Sequence, residues 1–324
     1  MTAAPRSLLV LGGGGAMGAF QVGGVLALAE GGVLPDAMFG CSAGALNAAF
    51  LASDPTLARA RQLAHWWSDS ASRRVLSPSR WSTLRGMAVA VAARADALLD
   101  EAPLRALVAT HVGAHDLSEL AVPVTITTTC LDCGGARHHD RGPLVDLLVA
   151  SCSLPGLFPP VRLADGHLHV DGGVVCGVPV EAALAAAGPD DTVYVLDCGL
   201  APVTGQEVAC SALPAVGPTG ACGLGTTERV WVPPTETRRG ALDVVLRSFT
   251  VARATANRAS VAPFLDDPRV RVLPHVADAW AAGLLEHVPA GPRDFRHTHD
   301  LVLAGHAATT TWLRGLRVRP MAAG

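Results

Sequence analysis

Residues 8–24 read LLVLGGGGAMGAFQVGG. No other stretch constrains the fold as tightly. An uninterrupted aliphatic run reads as a strand buried on both faces. Four glycines break it, and a helix-forming segment follows at once. A strand, a glycine turn and a helix in direct succession predict a sheet with helices packed against it. The glycines also raise a question of chemistry. Gly13-x-Gly15-x-x-Gly18 has the spacing of a dinucleotide-binding loop. Backbone N–H groups at a helix N-terminus suit any anion, so a bound pyrophosphate and a transient oxyanion are alternatives at this point.

The rest of the chain repeats the alternation. Strands are predicted at 7–11, 37–41, 122–129, 168–171 and 192–197. Helices are predicted at 19–29, 43–51, 144–150, 179–187, 242–259 and 301–313, with an amphipathic segment at 58–67 and a broken helical stretch at 87–108. Proline stands at a favourable first position in the 179–187 helix. The pattern predicts an α/β fold with a mainly parallel sheet covered on both faces. Residues 199–228 are rich in Gly and Pro and read as a long loop. The expected organisation is one domain over 1–324. Its motif-bearing core is 7–198, and a largely helical part, 229–324, packs on that core.

Composition removes several function classes. Half of the 324 residues are hydrophobic and the formal net charge is -3. All the basic residues are arginine, which reflects compositional bias, and no basic block exists to meet a nucleic acid. No stretch of about 18 apolar residues offers a membrane span. The longest candidate, 87–99, is cut by Arg94 and Asp96. No targeting segment is read at the start, so the expected location is cytoplasmic, with transient contact at a membrane surface allowed. The eight cysteines form no disulfide framework. Cys130-x-x-Cys133, with His138 and His139 nearby, has zinc-like spacing but lacks a second pair. It reads as a strand entering a turn at Cys133–Gly135, and no metal is expected.

Two further motifs carry chemistry. Gly40-Cys41-Ser42-Ala43-Gly44 is a G-x-S-x-G pentapeptide between a short apolar strand and a helix. That context suits a nucleophile elbow: a sharp turn exposes Ser42 Oγ, while Gly40 and Gly44 let the chain segments approach closely. A glycine-rich tight turn is the plain alternative. Asp171-Gly172-Gly173 ends another strand. Asp171 is placed to act as a general base, or merely to open a turn. Taken together the pieces fit acyl transfer. Ser42 attacks, Asp171 takes its proton, and the N–H groups of Gly13, Gly14 and Gly15 receive the oxyanion.

The motifs GGGGAMGAFQVGGVLAL, GCSAGALNAA, ASCSLPGLFPPV and VDGGVVCGVPV occur in that order. Later segments, LLDEAPLRALV and DFRHTHDLVLAGHAATTTWL, extend the likeness over nearly the whole chain. The chain resembles the bacterial members of the patatin-like phospholipase family. That resemblance implies a three-layer α/β/α fold and a Ser–Asp dyad without a catalytic histidine. It carries over to Ser42 and Asp171, with Gly13–Gly15 as oxyanion hole and Gly40, Gly44 and Gly172 in support. It implies no organic cofactor and an acyl ester or lipid as substrate.

One position departs from the pattern. The family places Arg or Lys where this chain has Met17, so the expected substrate is a neutral ester, lipid or thioester rather than a phospholipid. The plain alternative is another arginine replacing that charge in space. Acyl transfer and thioester cleavage by the same acyl-enzyme are alternatives within the class, and a non-catalytic lipid-binding scaffold is one outside it. A dinucleotide enzyme would need an acid after the second strand, where Ser42 stands instead. The late histidines His297, His299 and His306 read as capping or surface groups. Asp197 reads as a strand-end turn, and Trp66, Trp67 and residues 86–93 as core more readily than as an acyl channel.

Overall fold

The structure, a computed structural model, describes residues 4–69, 97, 99–199, 241–286 and 294–318. Its centre is an eight-stranded sheet formed by β1 (Ser7–Leu11), β2 (Ala37–Cys41), β3 (Val124–Cys130), β4 (Ala136–His139), β5 (Val161–Arg162), β6 (Leu168–Asp171), β7 (Thr192–Leu196) and β8 (Val270–Val272). The order is β5-β6-β3-β2-β1-β7-β8, with β4 also pairing β3. β3, β2, β1, β7 and β8 run parallel, whereas β4, β5 and β6 join antiparallel. The helices are α1 (Gly18–Glu30), α2 (Ala43–Ala52), α3 (Leu57–Ser68), α4 (Ala102–Val112), α5 (Leu144–Cys152), α6 (Val180–Ala186), α7 (Ala241–Val261), α8 (Val276–Ala281) and α9 (Thr298–Val318).

β1 shows why there are three layers. Leu9 and Leu11 face a core shared with α1, α2, α4 and α5. Leu8 and Val10 face the opposite side, against Val180, Ala183 and Leu184 of α6 and Val261 of α7. An all-apolar strand needs both covers. Further out, α3 and α9 pack on α1 through Phe20, Leu63, Trp67 and Leu301. The α1–α9 crossing is close: a Cβ on Gly23 would sit 2.1 Å from the Val302 carbonyl oxygen, and one on Gly305 would sit 2.0 Å from that of Phe20.

The register on β3 builds the site. Ile126 and Thr127 pair with β2 and also with β4, so β2 and β4 hold opposite edges of β3. Thr128 and Thr129 pair with β4 and also with β6, so β6 lies opposite β4 as well. β2 and β6 therefore share one edge. β2 ends with Cys41 opposite Thr127, and β6 takes over with Asp171 opposite Thr128. The C-terminal ends of the two strands meet head-on, bringing Asp171 to the turn that carries Ser42.

Most expected elements occur. The strands at 7–11, 37–41 and 168–171 match residue for residue, and the last two long helices are extended at both ends. β4, β5, β8 and α8 are additions. The sequence ARHH of β4 has no apolar alternation, β5 spans two residues, and β8 is held by its pairing to β7. β8 also makes the C-terminal part a contributor to the sheet rather than a purely helical cover. Of the stretch at 87–108, the helix begins at Ala102, and residues 87–96 lie outside the described residues; so do 200–228 of the expected loop.

Candidate active site

Ser42 sits between β2 and α2 with φ 54° and ψ -125°, the only non-glycine residue with positive φ among the described residues. The elbow is held from several sides. A Cβ on Gly44 would lie 2.0 Å from the Leu11 carbonyl oxygen, and one on Gly40 would lie 2.6 Å from Ala45 Cα. Only glycine fits either place. The Ser42 N–H donates to Ser151 Oγ (2.8 Å), whose hydroxyl donates to the Thr127 carbonyl (2.7 Å). Ser151, from α5, thus ties the elbow to β3.

The Ser42 hydroxyl donates to Asp171 Oδ2 at 2.7 Å. Oδ1 of the same carboxylate accepts from the Gly173 N–H at 2.7 Å and faces the Cys41 thiol at 3.9 Å. Asp171 is anchored through its own N–H, which donates to the Ser153 carbonyl (2.9 Å). Just past β6 the chain runs close to β3 at Gly172: a Cβ there would lie 2.5 Å from the Thr127 carbonyl oxygen. Both Ser42 and Asp171 are buried. Burial pushes the Asp171 carboxyl above its ordinary range; the Arg253 charge, the Ser42 hydroxyl and the Gly173 N–H pull it back. Burial likewise pushes up the thiols of Cys41, Cys152 and Cys176, the last to about 11, so they stand by as neutral groups.

The glycine loop crosses directly over the serine. A Cβ on Gly13 would lie 3.1 Å from Ser42 Cβ. The Gly13 N–H donates to the Gly177 carbonyl at 2.9 Å. Among the described residues, the N–H groups of Gly14 and Gly15 have no such acceptor. Gly15 adopts φ 59°, a left-handed turn that opens the short helical turn Gly15–Met17. A buried amide relay fixes the loop. Gln21 Nε2 donates to the carbonyls of Gly12 and Leu196, Asn47 Nδ2 to Gln21 Oε1 and the Gly18 carbonyl, and Trp67 Nε1 to Asn47 Oδ1.

Met17 is fully buried among Phe20, Phe50, Leu63 and Trp67. The side chain at this position is core, and the loop offers no cation there. None of the described histidines bonds to Ser42 or Asp171. His306 pairs with Glu30 (2.8 Å), His297 lies 3.5 Å from Asp300, and buried His169 links Thr128 and Asp165. Asp197 caps its strand end by accepting from the Gly199 N–H. Trp67 is core and stacks on Phe295; Trp66 reaches His111. Residues 86–93 lie outside the described residues. Cys130, Asp132 and His167 bring ligand atoms within 4.8 Å of one another at the end of β3, Asp132 and His167 being exposed. Cys133 closes that turn through its N–H to Cys130 Sγ.

Sequence reasoning missed Ser151, Gln21, Asn47, Gly173 and Arg253. The serine and the two amides sit within helices whose sequence reads as ordinary core. Arg253 arrives from α7, about 80 residues beyond Asp171 in the chain.

A serine on a strained strand-to-helix elbow, touching a buried carboxylate under a glycine loop, defines the class: an α/β protein with a hydrolase-type serine site. A sequence profile of the patatin-like phospholipases matches residues 9–184, a span holding the loop, Ser42 and Asp171. The chain belongs to the patatin-like phospholipase family. It is 32% identical over 197 residues to an uncharacterized NTE family protein of Mycobacterium tuberculosis, covering 60% of this chain and 49% of that protein. It is 30% identical over 192 residues to human patatin-like phospholipase domain-containing protein 6, covering 59% of this chain and 13% of that protein. The chain thus spans about half the length of the mycobacterial relative and a small part of the human one. VipD from Legionella pneumophila aligns in space over 97% of this chain and 67% of its own, at 14% identity and a TM-score of 0.43. Among the described residues, no helix is long and apolar enough to cross a membrane.

Proposed function

We propose that the protein hydrolyses lipid-type carboxylic esters through a Ser42–Asp171 dyad. The reading rests on the 2.7 Å hydrogen bond from Ser42 Oγ to a buried carboxylate, with the glycine loop directly above. Ser42 Oγ attacks the carbonyl carbon and its proton passes to Asp171 Oδ2. The developing oxyanion is received by the Gly14 and Gly15 N–H groups and favoured by the positive end of α2. Collapse expels the alcohol, which takes the proton from Asp171, and leaves Ser42 acylated. Water then attacks the acyl carbon, Asp171 takes a proton from it, and the acid leaves as Ser42 regains its hydrogen. No step draws on a metal or an organic cofactor. With Met17 buried, the loop adds no cation for a phosphate head group, so neutral acyl esters are the preferred substrates.

Ser42→Ala and Asp171→Asn are each expected to reduce ester hydrolysis by at least 100-fold and to leave the fold intact by circular dichroism. A fluorophosphonate probe should label the wild type and not Ser42→Ala. Retained activity in either variant refutes the dyad. Absence of any adduct on Ser42 favours a lipid-binding scaffold, and a higher kcat/KM for phosphatidylcholine than for neutral esters refutes the substrate preference.

A further inference from the structure

Arg253 is the only buried arginine among the described residues, at 6% exposure. Within them its guanidinium has no hydrogen-bonding acceptor. A charge so placed is unfavourable unless another charge answers it. The geometry shows which one. The stem of Arg253 lies across Gly173: a Cβ there would be 2.8 Å from Arg253 Cδ and 3.2 Å from one of its terminal nitrogens. The same point lies 3.0 Å from Asp171 Oδ1. Guanidinium and carboxylate are therefore at most about 6 Å apart, separated by a residue with no side chain. Arg253 stands on the Oδ1 side, and Oδ2 is left to the serine.

Resting on the dyad reading above, we propose that Arg253 is a positioning residue that acts across Gly173 to keep Asp171 ionised and therefore competent as the base. The other groups facing Asp171 cannot do this. Ser42 and Cys41, from the end of β2, and Cys152, from α5, are neutral, the two thiols because burial holds their protons. Arg253 is in turn faced by Asp171 and by the buried thiols of Cys41 and Cys198, and Cys198 also feels the Asp197 charge. Without the guanidinium, burial alone would hold the carboxyl in its protonated form to higher pH. The residue lies outside the 9–184 span of the family match, so no motif of the site marks it.

The test is the pH profile of kcat/KM for a chromogenic neutral ester, whose acid limb reports the base in the free enzyme. Arg253→Gln should move that limb up by about one to two pH units, while the rate at the high-pH plateau stays within a few-fold of wild type. Arg253→Lys should bring most of the shift back. Gly173→Ala, whose new Cβ displaces the arginine, should move the limb in the same direction and serves where Gln at 253 does not fold. An unmoved limb in the variants that fold overturns the proposal. So does a rate lowered equally at every pH, or a change confined to KM for anionic lipids, which would make Arg253 a head-group contact. Asp171→Asn separates the two readings. If it is inactive while the limb of the Arg253 variants stays put, only the arginine's role falls. If it remains active, the dyad falls as well.

Discussion

The backbone at Ser42 makes a measurable prediction about stability. Its φ of 54° and ψ of -125° lie outside the left-handed helical well as well as the ordinary regions for L-residues. Strain at such a position is about 1–3 kcal/mol, and the upper part of that range applies here. Ser42→Ala and Ser42→Gly both remove Oγ, so the lost bond to Asp171 cancels when the two are compared. They differ only in the Cβ. Glycine relieves the strain, gives back about 0.4–1 kcal/mol through its freer unfolded chain, and forfeits about 0.8 kcal/mol for one buried methyl. The balance makes Ser42→Gly more stable than Ser42→Ala by up to about 2 kcal/mol. Urea unfolding followed by tryptophan fluorescence measures it, provided the two m-values agree. Neither variant should hydrolyse esters. If Ala proves more stable than Gly by about 1–2 kcal/mol, the elbow stores no strain and the serine is held by its neighbours alone.

Two further outcomes follow from the surroundings. Ser151→Ala leaves the Ser42 N–H and the Thr127 carbonyl without their bridge, so it should lower stability by about 2–3 kcal/mol and kcat by about tenfold or more; a wild-type kcat would show that the elbow does not depend on α5. The Arg6 side chain bonds Asp191 and holds its carboxyl down at about 2, so this contribution to stability is complete above the ordinary carboxylate range and fades as pH falls through about 2. Arg6→Ala should therefore lower the urea midpoint much more at pH 6 than at pH 2, whereas an equal loss at both would assign Arg6 a packing role instead.

Much of this architecture is legible in the chain. Stretches such as LLVL and AMFGC have few choices, because runs without charged or strongly polar residues must be buried on both sides. The glycines at 40 and 44 announce a close approach before any partner is known. What could not be read depends on distant pairing. β8 is three residues long and exists because β7 offers it a free edge. The hydrogen bond from the Gly13 N–H depends on a carbonyl at Gly177, over 160 residues away. Arg253 is one arginine among many on a helix of mixed character, and only the fold brings it to Gly173. Met17 was visible as a departure, but its full burial, which makes it a core residue, was not.

On the proposed reading, the shared edge of β3 explains why two residues would serve here rather than three. A serine triad uses an imidazole because its carboxylate is too far away to reach the nucleophile. Here β6 continues where β2 stops, and Asp171 touches Ser42 directly, leaving no gap for a ring to fill. On the proposed reading that directness imposes a condition on the carboxylate itself. Fully exposed, it would be too weak a base to take a serine proton. Fully buried and alone, it would hold its own proton near neutral pH. Burial between β3, α5 and the elbow pushes its carboxyl up, while the Arg253 charge and the Gly173 N–H pull it back. Both correctives reach Asp171 at Gly173. On that reading the Asp-Gly-Gly turn is the element that would let a lone carboxylate do the work of an aspartate and a histidine together.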